Sequence, residues 1–317
     1  EARGDVTVAT SLLERRVIVG NADNPRALDA RWHAGFDVAH FVKAKRFEQQ
    51  QRYARFEDTA YNLEPNIKES PGGLRDVQMV LWLARALRGV ATLDALVDQS
   101  LLNRHECAVL DGAYCQTKFL RAHLHLLAKR REDRLAFELQ NGLAARLGIT
   151  PSAELRASEV LMKRYYQSAR QLRLYNDILI DALTADRSAV RQPLADGCFA
   201  ARDNKLDLMA PGEPLSGLEI LAAFRLRYGD RAFAGFTPEL RRAIVRSAEA
   251  LADDGFATPA CRELVLTFLR GGHGVYHALK AMNELGVLSK LVPPWRRIVG
   301  QMQHDLFHVY TVDQHIL

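Results

Sequence analysis

The segment from Tyr61 to Asp76 constrains the structure of this chain most strongly. It reads Tyr-Asn-Leu-Glu-Pro-Asn-Ile-Lys-Glu-Ser-Pro-Gly-Gly-Leu-Arg-Asp, and apolar residues recur at helical spacing from Leu74 onwards. The pattern predicts a loop whose Pro-Gly-Gly turn opens a helix. Such a turn exposes backbone N–H groups and the positive end of the helix dipole, which together can bind a phosphate. We call residues 61–76 the glycine loop.

The residue types in the glycine loop suit a phosphate site. Gly72 and Gly73 allow a close approach of the backbone or a positive φ. Lys68 can neutralise a phosphate oxygen as a point charge, and Arg75 can bind one with two parallel hydrogen bonds. The loop therefore combines backbone donors with two formal positive charges.

The carboxylates of the glycine loop have two interpretations. Glu64 and Asp76 can hold Mg²⁺ directly or through water, or they can orient Lys68 and Arg75. Asp76 also falls in the first turn of the predicted helix, where the dipole favours a carboxylate in any protein. By residue type alone, a structural turn surrounded by salt bridges fits as well as a phosphate site. The candidate nucleotide-binding residues are Asn62, Glu64, Lys68, Gly72, Gly73, Arg75 and Asp76.

The glycine loop as a whole resembles the corresponding segment of bacterial PII-protein uridylyltransferase/uridylyl-removing enzymes. That resemblance implies a polymerase-β-like nucleotidyltransferase domain that transfers UMP from UTP to a tyrosine of the PII signal-transduction protein, with Mg²⁺ or Mn²⁺ as cofactor. It further implies an HD domain that hydrolyses PII-UMP, and glutamine as an effector acting through domains outside this chain. It favours the nucleotide-binding interpretation of the loop.

The chain departs from this family in one respect. The transferase core of the family carries a Gly-Ser pair and an Asp-x-Asp motif, and residues 1–60 contain neither. Both ends of the chain also look cut. We therefore expect a fragment that lacks both complete active sites and is inactive by itself. Asp5 or Thr7 is expected to be a helix N-cap and not a catalytic acid.

A second informative run extends from Trp295 to Leu317 and resembles the segment that leads into the HD domain of the same enzymes. The resemblance makes His315 the candidate first metal ligand of that domain. The doublet His304-Asp305 precedes this position and is not expected to be the HD motif itself. His308 and Asp313 are expected to be polar neighbours. His273, which lies among glycines, is expected to mark a break between helices and not a phosphate loop.

Hydrophobic periodicity predicts a mainly α fold. Helices are expected over most of residues 6–183 and again over 218–291, and a β-hairpin is expected near 198–209, where Asp203-Asn204 separates two apolar arms. The predicted divisions are 1–88, the C-terminal part of a nucleotidyltransferase domain; 89–191, a helical bundle; 192–300, a connector; and 301–317, the first helix of an HD domain.

Composition excludes some classes of protein. No apolar window is long enough to cross a bilayer, so the chain is expected to be cytoplasmic, with no membrane partner. The formal charge of +5 is spread over solvated helix faces beside acids, so nucleic acid is not an expected partner. The four cysteines are widely spaced, which indicates reduced thiols.

Two alternatives stay open at this point. A glutamine-synthetase adenylyltransferase or a similar transferase would share the glycine loop, although the run that leads into the HD domain argues against it. A non-catalytic helical interaction module would share most of the other features. Binding of UTP with Mg²⁺ distinguishes a nucleotide-binding wall from such a module.

Overall fold

The computed structural model describes residues 5–16, 18–19, 23–186, 188–195, 197–229, 233–272, 274–302 and 310–317. Eight helices precede the sheet in this part of the chain. They are α1 (Val6–Leu13), α2 (Asp23–Gly35), α3 (Val38–Ala54), α4 (Leu74–Arg88), α5 (Leu93–Asp98), α6 (Arg104–Ala128), α7 (Phe137–Arg146) and α8 (Ala157–Thr184).

A small four-stranded sheet and further short helices follow. The strands are β1 (Gln192–Pro193), β2 (Phe199–Arg202), β3 (Lys205–Leu208) and β4 (Gly235–Phe236), in the order β1-β2-β3-β4, with β4 parallel to β3. The helices are α9 (Gly217–Phe224), which continues into a π-helix (Arg225–Gly229), α10 (Pro238–Ala250), α11 (Pro259–Arg270), α12 (Val275–Glu284), α13 (Leu288–Leu291), α14 (Trp295–Ile298) and α15 (Val312–Ile316).

Helix α8 is the central element of the fold. One side of it, including Leu172 and Leu179, packs into a hydrophobic cluster formed with α1, α3, α4, α5 and α6. Its first half, including Met162 and Ala169, packs into a second cluster with α6, α7 and residues 60–67. Leu174 contacts a third cluster that is built by the sheet and helices α9 to α13. Burial of apolar surface on several sides therefore fixes the position of α8 relative to both ends of the chain.

Local sequence signals are confirmed where they depend on neighbouring residues. The fold is mainly α, and the predicted hairpin forms from β2 and β3. Asp203 and Asn204 take φ values of 49° and 56°, the left-handed pair that a two-residue hairpin turn requires. Asp5 caps α1 by accepting hydrogen bonds from the N–H groups of Thr7 and Val8.

The interpretation that the charges of the chain lie on solvated helix faces is wrong for two residues of α3. Lys45 and Arg52 are buried, with exposures of 3% and 6%. Both lie on the side of the helix that carries the buried Phe41. The long side chains of Lys45 and Arg52 can lay their methylene groups along the inner side of α3 because their charges are paired with Glu48 and Asp76.

The C-terminal segment is fastened to the rest of the fold by Asp313. This buried carboxylate accepts hydrogen bonds from Asn283 Nδ2 (2.9 Å) and from the N–H of Gly300 (3.0 Å). His273, His304, Asp305 and His308 lie outside the described residues. The domain boundaries and the assignment of an HD domain to residues 301–317 stay predictions. In the described part of the chain, no helix combines the length and the apolar character needed to cross a membrane.

Candidate functional site

Asp76 is the centre of a buried hydrogen-bond network. Its carboxylate accepts hydrogen bonds from the Gly72 N–H (2.6 Å) and the Tyr53 hydroxyl (2.8 Å) and forms an ion pair with Arg52. The side chain has no exposed surface. A buried carboxylate needs partners of this kind to offset its desolvation. Asp76 therefore holds the glycine loop against α3 and α4.

Three residues that the sequence interpretation did not single out extend this network, namely Arg52, Asn176 and Gln49. Arg52 also donates to the carbonyl oxygen of Glu69 (2.6 Å), and Asn176 of α8 donates to the backbone carbonyl of Asp76 (2.9 Å). Gln49 donates in turn to Asn176 Oδ1 (2.8 Å). The signal in the sequence for Asn176 is a polar residue among the mostly apolar buried residues of α8.

The two glycines of the turn permit close packing inside the protein. Gly72 has a φ of +76°, and a Cβ at this position would lie 2.2 Å from the carbonyl oxygen of Ala169. A Cβ on Gly73 would lie 2.7 Å from the carbonyl oxygen of Lys68. The close approach therefore brings the turn against α8. Since the Gly72 N–H already donates to Asp76, it is not available to a phosphate.

Lys68 and Arg75 come together on one carboxylate. Lys68 Nζ and an Arg75 guanidinium nitrogen each lie 3.1 Å from Glu69 Oε1. Burial alone would raise the pKa of Glu69, but the hydrogen bonds from Lys68 and Arg75 outweigh it and hold this pKa below its ordinary value. All three side chains are partly exposed. We call Lys68, Glu69 and Arg75 the loop cluster.

The loop cluster adjoins an aromatic residue. The guanidinium of Arg75 lies 5.3 Å from the ring centroid of Trp82, and Lys45 Nζ lies 4.3 Å from it. Trp82 donates its indole N–H to Glu14 (2.7 Å). These contacts fix the direction in which the side chain of Arg75 extends from α4.

Glu64 and Asn62 have partners away from the loop cluster. Glu64 accepts a hydrogen bond from the N–H of Phe137 (2.8 Å) and pairs with Arg134, so it caps α7. The carbonyl oxygen of Asn62 accepts a hydrogen bond from the Tyr166 hydroxyl (2.9 Å). The nucleotide-binding role of these two residues stays a prediction, as it does for the loop cluster.

The candidate metal ligands do not form a metal centre. Glu64 and Asp76 accept hydrogen bonds from separate sets of protein donors. His315 is exposed on α15. No group of three or more His, Cys, Asp or Glu side chains able to hold a metal ion occurs among the described residues. The residues that the structure describes therefore do not fit the Mg²⁺ or Mn²⁺ that the family resemblance implies.

A large cleft of about 410 Å³ lies between α8 and the C-terminal elements. One wall is formed by residues 57–61 and by α8. The other wall is formed by the π-helix, β4, α10, α12 and the start of α15. We call it the junction cleft. Tyr61, the first residue of the glycine loop, lines it, whereas the loop cluster is absent from its lining.

The side chain of Asp177 in α8 lines the junction cleft. Its side chain is 45% exposed, but this exposed surface faces the cleft. Enclosure by the cleft walls raises the pKa of Asp177 to about 7, and the neighbouring Arg173 and Arg241 oppose this rise. Water in the cleft screens part of the effect. The charge of Asp177 is therefore sensitive to pH near neutrality.

Two family models match the chain. One is described as GlnD PII-uridylyltransferase and matches residues 40–180. The other is described as the third domain of the uridylyltransferase GlnD and matches residues 216–291. Together they match more than half of the chain. No solved structure matches it.

Curated relatives match over the full length of the chain. A protein of Bordetella parapertussis is 43% identical, one of Thiobacillus denitrificans is 44% identical and one of Ralstonia nicotianae is 40% identical. Each is named a bifunctional uridylyltransferase/uridylyl-removing enzyme. All of this chain is covered in each match, but only 37% to 38% of the relative.

Proposed function

Because this chain belongs to the family of bifunctional uridylyltransferase/uridylyl-removing enzymes, we propose that it works as the helical region of such an enzyme. The whole enzyme would transfer UMP from UTP to the PII protein and remove it again by hydrolysis. It would act in the cytoplasm and respond to glutamine. Neither nucleic acid nor a membrane is a proposed partner.

In the transfer of UMP, this chain would contribute two positively charged side chains held in fixed positions. The observation that supports this role is the meeting of Lys68 and Arg75 on Glu69, above a turn held rigidly by Asp76. Cations fixed in advance need little reorganisation when they meet the phosphates of a nucleotide. Glu69 would keep both side chains in position until the nucleotide is bound.

The divalent cation of the whole enzyme has no proposed ligands among Glu64, Asp76 and His315. When bound, Mg²⁺ or Mn²⁺ would neutralise phosphate charge during transfer. In our proposal Asp76 is a positioning residue, because its carboxylate is enclosed by Arg52, Tyr53 and Gly72. The proposed residues of nucleotide contact are Lys68 and Arg75.

Calorimetric titration of the full chain with UTP and Mg²⁺ tests the proposal. We expect binding, and we expect Lys68→Ala to weaken it at least about tenfold, since one charge-assisted hydrogen bond contributes roughly 1.5–3 kcal/mol. Lys43→Ala is the matched control, because Lys43 is an exposed lysine of α3. Circular dichroism establishes that each variant is folded.

The two alternatives give different results in the same titration. A non-catalytic helical module would show no UTP binding while remaining folded, and UTP binding that is insensitive to Lys68→Ala would contradict the role of the loop cluster. An adenylyltransferase would prefer ATP. The names of the curated relatives favour UTP.

A further inference from the structure

The described lining of the junction cleft contains cations that form no ion pair with a described acid. Of its lining cations, Arg173 pairs with Asp58 (2.8 Å), and Arg241 pairs with Asp181 (3.5 Å). The other lining cations are Arg170, Arg227 and Lys280. Within the described ranges, none of these three has a carboxylate within 4.0 Å.

Four acids line the described walls of the junction cleft, against five cations. Asp58 is engaged by Arg173, and Glu57 accepts a hydrogen bond from the Tyr310 hydroxyl. Asp177 is partly protonated near neutral pH for the reason given above. Glu284 is the remaining acid in the lining. The described lining therefore has one cation more than acids, and this small positive excess, which increases when Asp177 is protonated, favours an anion.

Arg227 belongs to an unusual piece of backbone. It lies in the π-helix, a conformation that is rare and is found frequently at functional sites. Its guanidinium lies 4.8 Å from the ring centroid of Tyr228, and its Nε is buried without a hydrogen-bond partner in the described structure. The π-helix thus presents a cation and an aromatic ring to the cleft side by side.

Helix α12, which forms part of the same wall as the π-helix, repeats this combination. Tyr276 is 53% exposed and precedes Lys280 by four residues on α12, so the two side chains lie on one face of that helix. Both line the cleft. An exposed ring beside a cation is suited to stacking a planar heterocycle while its charged group is bound.

We propose that the junction cleft binds a nucleoside phosphate, with the base against Tyr276 and the phosphate between Lys280, Arg227 and Arg170. A volume of about 410 Å³ lies within the range of small-molecule sites, roughly 300–1,000 Å³. The inference does not depend on the proposed transferase role, because the loop cluster is a separate set of residues. A bound ligand would contact α8, the π-helix and α12 at once.

Calorimetric titrations of the full chain with UMP, uridine and inorganic phosphate test this inference. We expect UMP to bind more tightly than either uridine or phosphate. Lys280→Ala should weaken UMP and phosphate binding about tenfold. Tyr276→Ala should weaken UMP about tenfold, the effect of losing one stacked base, and leave phosphate unchanged.

Lys43→Ala, at an exposed position of α3, is the matched control and should leave UMP binding unchanged. The proposal is overturned if UMP does not bind, or if Lys68→Ala abolishes binding and Lys280→Ala has no effect. The proposal would also be overturned if phosphate bound as tightly as UMP and Tyr276→Ala did not weaken UMP binding, since the base would then not be recognised. The transferase proposal would fail in a different way: Lys68→Ala would then leave the binding of UTP unchanged.

Discussion

The carbonyl oxygen of Ala169 occupies the place that a side chain on Gly72 would need, 2.2 Å from the position of the missing Cβ. Gly72 has a positive φ as well, so both the backbone and the packing require glycine. The glycine loop is thereby joined to the central helix α8 at a point where no side chain fits.

Gly72→Ala should destabilise the protein much more than Gly89→Ala. Both glycines have a similar φ, +76° and +70°, but a Cβ on Gly89 meets nothing within 4 Å. Gly89→Ala should therefore cost only the backbone strain, about 1–2 kcal/mol. Urea denaturation measures the difference between the two variants, which isolates the clash with Ala169. Equal losses would mean that the turn can move away from α8.

Asp76→Ala should lower the free energy of unfolding by about 3–5 kcal/mol. It leaves the buried Arg52 without its counter-ion and the Gly72 N–H without an acceptor. Asp98→Ala, at an exposed position of α5, should change stability by less than about 0.5 kcal/mol. Chemical denaturation of both variants provides the comparison. A small loss for Asp76→Ala would contradict the role of this carboxylate in holding the glycine loop.

Glu106 and Arg242 should form a strongly coupled pair between α6 and α10. Two guanidinium nitrogens of Arg242 donate to the Glu106 carboxylate, which is 2% exposed. Arg242→Ala should cost about 3–5 kcal/mol, because it leaves a buried carboxylate without its counter-ion. Arg262→Ala, at an exposed position of α11, is the control. A double-mutant cycle with Glu106→Gln that shows no coupling would contradict this prediction.

Asp177→Asn should flatten the dependence of stability on pH. The pKa of Asp177 rises from 3.8 to about 7 on folding, so between these pH values the folded state binds more protons than the unfolded state. The contribution of Asp177 to stability is therefore present below about pH 4 and is lost as pH rises towards 7. Denaturation at pH 5 and pH 8 should show a smaller difference for Asp177→Asn than for the unchanged chain.

Asp98→Asn, which replaces an exposed carboxyl, is the control for that experiment and should leave the profile unchanged. The charged groups that act on Asp177 are Arg173 and Arg241, which lower its pKa, and Asp76 and Glu284, which raise it. An identical pH profile for Asp177→Asn and the unchanged chain would show that water in the cleft screens the carboxyl completely.

Local patterns were sufficient for much of the fold. The hairpin was predicted because Asp203-Asn204 favours the left-handed turn by itself, and the cap of α1 because Asp5 lies next to the N–H groups that it accepts from. The start of α4 at Leu74 followed from the Pro-Gly-Gly turn. Each of these features depends on residues within a few positions of one another.

Contacts between distant segments were not predictable in this way. The burial of Lys45 and Arg52 depends on what covers α3, and the partnership of Asn176 with Asp76 joins residues 100 positions apart. The packing role of Gly72 is a further example, since its missing side chain makes room for α8.

The sequence by itself therefore determined the helices, the hairpin and the resemblance to a family, because periodicity, turn chemistry and motifs are properties of short segments. Only the tertiary structure decided that Lys68 and Arg75 share Glu69 and that Asp76 is enclosed. It also brought Arg227, Tyr276 and Lys280 to one cleft. The physical reason is that burial and charge pairing depend on the packing of α8 against elements far away in the chain.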